Sequence, residues 1–254
     1  MIKWLRARNL RVMEEQPVQV TIGKISEINR YPIKSFAGER LTSCQIEAYG
    51  MLGDRFGAFY DESKSGWWRY VTARNMPNML TYQASYLNGD IHITAADGRT
   101  FGWDDALLKE MQTQTKIPLT MSRLKEQHPE HPQLLSVDGA SILLITDASL
   151  RKLESLHGKD LDQRRFRGNF VVALDEHACS EGEWIGRQIA IGEVQLQVDS
   201  FCDRCMMITI DPDTLDKDPS VLKQVNEGFD LQFGVYASVV QTGQIRLGDT
   251  VKFL

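Results

Sequence analysis

The sequence predicts a β-rich α+β fold, barrel-like, with a few helices on its outside. Short segments of strand pattern recur from Val20 to Leu254, cut by Gly, Asn and Asp turns. Few segments show the three-to-four spacing of a helix. The polar run Glu126 to Pro132, with its two prolines, reads as a loop and as a seam between two halves.

Val20 to Arg30 alternates through Ile22, Ile25 and Ile28, and Arg40 to Tyr49 through Leu41, Cys44, Ile46 and Ala48. Phe56 to Tyr60 is an apolar strand followed by the turn-rich Asp61 to Gly66. Tyr82 to Leu87 and Asp90 to Ala95 flank Asn88-Gly89, a pair that accepts the positive φ angles of a type I′ hairpin. Asp97-Gly98 is a second tight turn. Trp103 to Lys116 reads as a helix, with Asp104 and Asp105 in its first turn and Leu107, Leu108 and Met111 as its apolar stripe. Ser141 to Ile145 reads as a buried strand. Thr146 or Asp147 then caps a helix from Ala148 to about His157 with Leu150, Leu153 and Leu156 inside. Phe170 to Leu174, Gln188 to Val198, Met206 to Ile210, Ala237 to Thr242 and Thr250 to Leu254 are further strands, and Leu247-Gly248-Asp249 closes a turn.

At 254 residues, 42% hydrophobic and 25% charged, the chain is long enough for one large core or two small ones. Its net charge of -5 gives no general reason to bind nucleic acid or an anionic membrane, so any anion site must be a local basic cluster. No apolar run reaches the roughly 18 residues of a spanning helix, so no stable membrane insertion is expected. Met1 to Val12 sets Lys3, Arg6, Arg8 and Arg11 around Trp4, Leu5 and Leu10. It lacks the continuous apolar stretch of a signal peptide and reads as a short basic helix or loose arm. Four cysteines do not make a disulfide framework, and reduced thiols in the cytoplasm are expected.

Chemistry concentrates at Cys202-Asp203-Arg204-Cys205. Cysteines at this spacing are half a zinc site, a redox dithiol or a buried structural pair. Zinc needs two further ligands. Cys44 and Cys179 offer no partner at ligand spacing, and His128 and His131, beside prolines, read as solvated. A redox dithiol favours a strand-to-helix junction, whereas Met206 to Ile210 reads as continuing strand. Arg204 adds another reading: a guanidinium beside Cys205 stabilises a thiolate and binds an oxyanion, which suits a metal cofactor that also carries a phosphate.

Four further segments carry donors for an anion. Tyr31-Pro32-Ile33-Lys34-Ser35 offers an ammonium and a hydroxyl at a strand end, a phosphate grip without the glycines of a Walker loop, or else an exposed turn. Gly50 to Phe56 places Arg55 before a strand, as a second phosphate ligand or a surface charge. Val71-Thr72-Ala73-Arg74 pairs a hydroxyl with a guanidinium in the same way. Arg164-Arg165-Phe166-Arg167-Gly168-Asn169-Phe170 packs arginines ahead of a strand, an anion pocket for a small cofactor or a solvated turn. The acidic balance and the lack of a recognisable module argue against RNA.

Taken in order, these segments resemble the MOSC family, the molybdenum cofactor sulfurase C-terminal domains, and within it the amidoxime-reducing branch and its bacterial relatives. Thr146-Asp147-Ala148-Ser149-Leu150, Thr209-Ile210-Asp211-Pro212-Asp213-Thr214, Phe233-Gly234-Val235-Tyr236 and Leu247-Gly248-Asp249 belong to the same resemblance, which runs from about Ile22 to Leu254. It implies two β-barrel-like domains with a molybdopterin-type cofactor between them: an N-terminal barrel over 20–125 and a cofactor-binding domain over 133–254. The first strands, from about 20–60, would complete the second barrel. By matching positions it implies Cys205 as the catalytic thiolate and metal ligand to molybdenum. It implies Lys34, Ser35 and Arg55 at the cofactor's phosphate, with Arg74, Arg167, Asn169, Arg204 and Tyr236 also binding the cofactor. The activity implied is molybdenum cofactor-dependent reduction of N-hydroxylated compounds: amidoximes, hydroxylamines and N-hydroxylated bases.

The chemistry is consistent with that. Molybdenum held by dithiolene sulfurs accepts a further soft thiolate, and a terminal phosphate is well matched by Lys, Arg and Ser donors. The chain reads as too short for an appended iron–sulfur domain and carries no haem or flavin motif, so a separate iron–sulfur, flavin or haem protein is the expected electron donor. Pyridoxal phosphate is not expected. Gly168 stands where the family commonly has proline, Asp203 where a small hydroxyl residue often sits, and Ile208 in place of the first of two threonines. Two other activities use the same residues: sulfur transfer through a persulfide on Cys205, and non-catalytic carriage of the cofactor. The basic set Lys34, Arg55 and Arg167 serves all three.

Overall fold

The computed structural model describes residues 20–129, 131–136 and 139–254. The basic segment Met1 to Val12 lies outside them. Seven strands close into a ring: β1 (Thr21–Arg30), β2 (Ile142–Thr146), β3 (Phe170–Leu174), β4 (Gln188–Ile191), β5 (Val194–Asp203), β6 (Gln232–Gln241) and β7 (Thr250–Phe253). Around the ring the order is β1, β3, β2, β6, β5, β4, β7 and back to β1. Neighbours run antiparallel except β2 and β3, which are parallel. A parallel pair needs a crossover, and a helix supplies it. The three helices among the described residues are α1 (Asp105–Gln112), α2 (Asp147–His157) and α3 (Pro219–Phe229), of which α2 joins β2 to β3.

β1 closes the ring because it pairs on both sides, with β3 over Gly23–Ile28 and with β7 over Thr21–Lys24. Its Ile22, Ile25 and Ile28 are at most 2% exposed, and burying each contributes about 1.5–3 kcal/mol. A bulge between Ile25 and Glu27 keeps both ends in phase with the interior. Gly23 is required where β1 passes β3, since a Cβ there would sit 2.2 Å from the Ala173 carbonyl oxygen. Val194, Leu196 and Val198 of β5 point inward by the two-residue period of a strand, onto the fully buried Trp184 and Phe170. A small sheet of Ser43–Glu47, Gly50–Met51 and Gly243–Arg246 adds Cys44, Ile46, Met51 and Ile245 to the same core.

Between β1 and β2 the chain builds a second lobe. The strand Glu39–Leu41 extends β1 at its far end. Two antiparallel sheets follow, one of Phe59–Asp61, Tyr70–Val71 and Leu119–Met121, the other of Gln83–Leu87, Asp90–Thr94 and Thr100–Phe101. With α1 they enclose Phe36, Phe56, Phe59, Met79, Ile93, Leu107 and Met111. Asn88 and Gly89 take the positive φ values, 53° and 97°, that the hairpin reading required. Asp104 caps α1 by accepting from the amides of Ala106 and Leu107.

The third core lies outside the ring, where α2 and α3 cover Ile145, Phe166, Ile208 and Phe233 with Leu153, Val221 and Val225. Several expectations need correction here. Leu156 is 45% exposed instead of internal, and its side chain reaches across to Gly228 of α3. Gln188 to Val198 is a hairpin, β4 and β5 meeting at the Ile191–Val194 pair. Met206 to Ile210 is not a strand: Met206–Thr209 is a single 3-10 turn. No described helix is long and apolar enough to cross a membrane.

Candidate functional site

β5 ends at Asp203, and the two cysteines straddle that end. The ladder between β5 and β6 shifts register at Val198–Ser200 and again at Phe201–Asp203. Cys202, still on the strand, is 2% exposed, whereas Cys205, beyond its end, is exposed. The two thiols therefore differ in access. Among the described residues no three His, Cys, Asp or Glu side chains gather as a metal site would need.

Arg204, between the two, is fixed by three carbonyls. Its backbone N–H donates to Leu231 O (2.7 Å), its Nε to Phe233 O (2.8 Å) and its Nη1 to Phe166 O (2.8 Å). The remaining nitrogen, Nη2, is buried and has no hydrogen-bond partner among the described residues. Gly234 makes room for this arrangement. Its φ is +82°, and a Cβ would meet the Leu144 carbonyl oxygen at 2.7 Å and Arg204 Nη2 at 3.4 Å.

Cys205 is the N-cap residue of the 3-10 turn Met206–Thr209. Thr209 Oγ1 donates to Met206 O at 2.7 Å, and Arg165 Nη1 donates to Thr209 O at 3.1 Å. These bonds gather carbonyls that a strand would have spent on a neighbour, which is why the segment leaves the sheet. Arg165 also pairs with Asp211 at 2.7 Å, and Asp211 accepts from the amides of Asp213 and Thr214, each at 3.0 Å. The Thr214 amide first, then the Asp213 amide and the Arg165 charge, hold the Asp211 carboxyl below the usual carboxylate range. Arg164 is taken up by Asp162 and Asp213. Of the three arginines, Arg167 is the one that turns to the second lobe.

There Arg167 and Arg55 share one aromatic platform. Their guanidinium carbons lie 4.1 and 4.6 Å from the centroid of Tyr31. Arg167 Nη1 donates to Phe36 O at 2.8 Å. Arg55 donates to both carboxylate oxygens of Asp54 (2.6 and 2.7 Å) and to the Arg167 carbonyl at 3.4 Å. Asp54 in turn accepts from the Tyr31 amide at 2.7 Å. Burial pushes the Tyr31 phenol above its ordinary value, against the pull of Arg167 and Arg55, so it stays a neutral ring under two cations. A hollow of about 270 Å³ opens beside this group, with Tyr31, Arg167, Asn29, Arg164 and Asp213 in its wall.

Lys34, 6% exposed, sits 4.6 Å from the Trp67 ring and 5.0 Å from Tyr70, and its Nζ donates to Ser136 O at 3.3 Å. Such a desolvated cation over aromatic faces is held by about 2 kcal/mol. The loop that supplies Ser136 also supplies His128, which corrects the solvated reading. His128 is 2% exposed, its ring 5.4 Å from Trp67 and 5.7 Å from Tyr70, because the loop folds back against the lobe. Ser35 is 3% exposed at φ 69°. Arg74, exposed, donates to Thr72 Oγ1 at 3.3 Å and lines two hollows. One, of about 200 Å³, contains Trp67, Trp68 and Tyr70; the other, of about 240 Å³, contains Cys205.

Arg55 and Arg167 are thus brought together at Tyr31, Arg74 lines the Cys205 hollow, and Lys34 lies on Trp67, which shares the neighbouring hollow with Arg74. Asn169 is 2% exposed and ties backbones: Oδ1 accepts from Leu143 N (3.1 Å) and Nδ2 donates to Asn29 O (3.3 Å). Tyr236 lies half-buried on β6 with its ring over Gly139, and it lines none of these hollows. Sequence reasoning passed over Trp67, Tyr70 and Lys217. The aromatic density of Gly66-Trp67-Trp68-Arg69-Tyr70 was a usable signal for the first two. Nothing local marks Lys217, which the Ile210–Lys217 bridge brings beside Cys205.

Residues 131–252 match the family model described as MOSC domain, and residues 22–136 the one described as MOSC N-terminal beta barrel domain. The chain is 26% identical over 312 residues to mitochondrial amidoxime-reducing component 1 of Mus musculus, covering 100% of this chain and 87% of that protein. It is 34% identical over 129 residues to the molybdenum cofactor sulfurase of Bombyx mori, covering 47% of this chain and 15% of that protein. The crystal structure of the YuaD protein from Bacillus subtilis superposes with a TM-score of 0.51 at 11% identity, over 92% of this chain and 96% of that one, a likeness of fold.

Proposed function

The chain belongs to the MOSC domain family, and on that premise we propose that it is a molybdenum cofactor-dependent reductase of N-hydroxylated compounds. Electrons come from a separate iron–sulfur, flavin or haem protein. The reading is carried by one observation at the end of β5. There an exposed thiol, Cys205, adjoins a guanidinium clamped by two carbonyls, Phe233 O and Phe166 O, whose buried Nη2 has no hydrogen-bond partner among the described residues. A buried donor left open costs about 1–3 kcal/mol, and an anionic or polar edge of a bound cofactor offsets that cost. The name of the mouse relative supports the N-reductive part of the reading.

When bound, the molybdenum cofactor supplies the two-electron chemistry that removes oxygen from nitrogen. In balance, an amidoxime takes up two electrons and two protons, its N–O bond breaks, and an amidine and water leave. The chain's own residues hold and shape. Cys205 is the soft thiolate ligand to the metal. Lys34, Ser35 and Arg55 take the phosphate end, where directed and charge-assisted donors are strongest. Arg167 and Arg204 take the remaining polar edge, and Asn169 keeps the ends of β1, β2 and β3 in place through its backbone bonds. Arg74, which lines the same hollow as Cys205, and Tyr236, on β6, complete the proposed set. Met206 and Ile210 give the hollow its apolar wall. We place the reaction in the cytoplasm, where the four cysteines remain thiols.

Protein made in a host that synthesises the cofactor is expected to carry close to one molybdenum per chain and to reduce benzamidoxime to benzamidine with a chemical electron donor. Loaded protein that turns over no amidoxime contradicts the reading. The exposed thiol and the relative named molybdenum cofactor sulfurase favour one other activity, sulfur transfer. Intact-mass analysis showing an added sulfur on Cys205 without molybdenum supports that reading instead.

A further inference from the structure

We propose that the hollow at Cys205 selects N-hydroxylated substrates that carry an anionic group on a small apolar body, with Lys217 as a specificity-determining residue. The proposal rests on the reductase reading above and names its substrate class. The hollow is lined by Arg74, Cys205, Met206, Thr209, Ile210 and Lys217 and measures about 240 Å³. Its size is below the roughly 300–1,000 Å³ of sites for drug-sized ligands, which fits a small substrate. Met206 and Ile210 offer apolar surface to an aryl or alkyl body.

The charge of the wall is the informative part. The chain has 34 acidic and 29 basic residues, yet no carboxylate lines this hollow and two cations do. Among the described residues neither Arg74 nor Lys217 forms an ion pair; Arg74 donates to the Thr72 hydroxyl at 3.3 Å. Of the acids near in sequence, Asp211 pairs with Arg165, Asp213 with Arg164, and Asp218 with His157 and the cap of α3, while Asp203 and Asp216 do not line the hollow. The cations also arrive from different parts of the chain. Arg74 extends from a segment whose Ala73 and Leu80 pack on Ile210, and Lys217 is set beside the Cys205 turn by the bridge to Ile210. Two cations on separate supports at one small hollow suit a carboxylate or phosphate tethered to the reacting N–OH.

The test compares benzamidoxime with 4-carboxybenzamidoxime, using loaded native protein and Lys217→Glu. Exposed ion pairs are weak, so the native preference for the carboxylated substrate is expected at about fivefold in kcat/KM, expressed in KM. Lys217→Glu is expected to lower that ratio to below one. A native ratio at or below one, or a ratio that Lys217→Glu leaves in place, overturns the proposal. Loss of molybdenum from Lys217→Glu also overturns it, because it assigns the cation to the phosphate of the cofactor. If neither compound is reduced, the reductase reading has failed. Calorimetric titration of 4-carboxybenzamidoxime then still decides the anion site: weaker binding to Lys217→Glu than to native protein supports it, and equal or absent binding overturns it.

Discussion

Ser35, Arg55 and Arg167 have φ values of 69°, 52° and 54°. A left-handed backbone at a residue with a Cβ costs roughly 1–2 kcal/mol and persists where surroundings impose it, a pattern that clusters at binding sites. At Arg55 and Arg167 the imposing contacts are visible in the bonds to Asp54, Phe36 O and Arg167 O. Asp211 does a different job, holding the turn behind Cys205. Its carboxyl lies below the ordinary value through the Thr214 and Asp213 amides and Arg165. A carboxyl lowered on folding adds stability that is complete above its unfolded value, near about 3.9, and is lost as the pH falls through the folded value. Thermal melts taken from pH 6 downward should therefore show the native protein losing its advantage over Asp211→Asn below about pH 4. Parallel curves for the two proteins would contradict this role.

At the scale of elements, the sequence patterns were legible wherever a local rule decided. β1, β2, β3 and the Asn88-Gly89 hairpin follow from alternation, continuous apolar runs and turn chemistry. The 3-10 turn after Cys205 was not legible, since Met206 to Ile210 is apolar enough for a strand and the bonds that hold the turn come from the Thr209 hydroxyl and the distant Arg165. α3 was legible and was passed over. Asp218 caps it, Pro219 opens it, and Val221, Leu222 and Val225 recur at helical spacing. His128 misled for a related reason: a polar loop with two prolines reads as solvated until the aromatic wall it packs on is known. In the candidate site, the motif order points to Cys205 over Cys202, and the two differ in exposure, Cys205 lying open beyond the end of β5 and Cys202 2% exposed. Lys217 was beyond reach, because its place depends on one bridge across the Asp211 turn.

At the scale of the molecule, the barrel is a product of both ends of the chain. β1 stands between β3 and β7, while the second lobe is inserted between β1 and β2. We propose 20–125 and 133–254 as the two domains, with the strands of about 20–60 shared. A fragment of residues 133–254 leaves the ring open at the edges of β3 and β7, which exposes unpaired backbone. It should lack the near-ultraviolet circular dichroism of the full chain and recover it on adding a peptide of residues 20–41. A fragment that is cooperative and native-like alone would contradict closure by β1. The central claim is that this assembly exists to present Cys205 as a metal ligand, with Arg204 beside it. X-ray absorption at the molybdenum edge tests that most directly, on loaded native protein and on Cys205→Ser. The account predicts one metal–sulfur bond fewer in the variant, replaced by a lighter ligand. An unchanged sulfur shell in Cys205→Ser would contradict it.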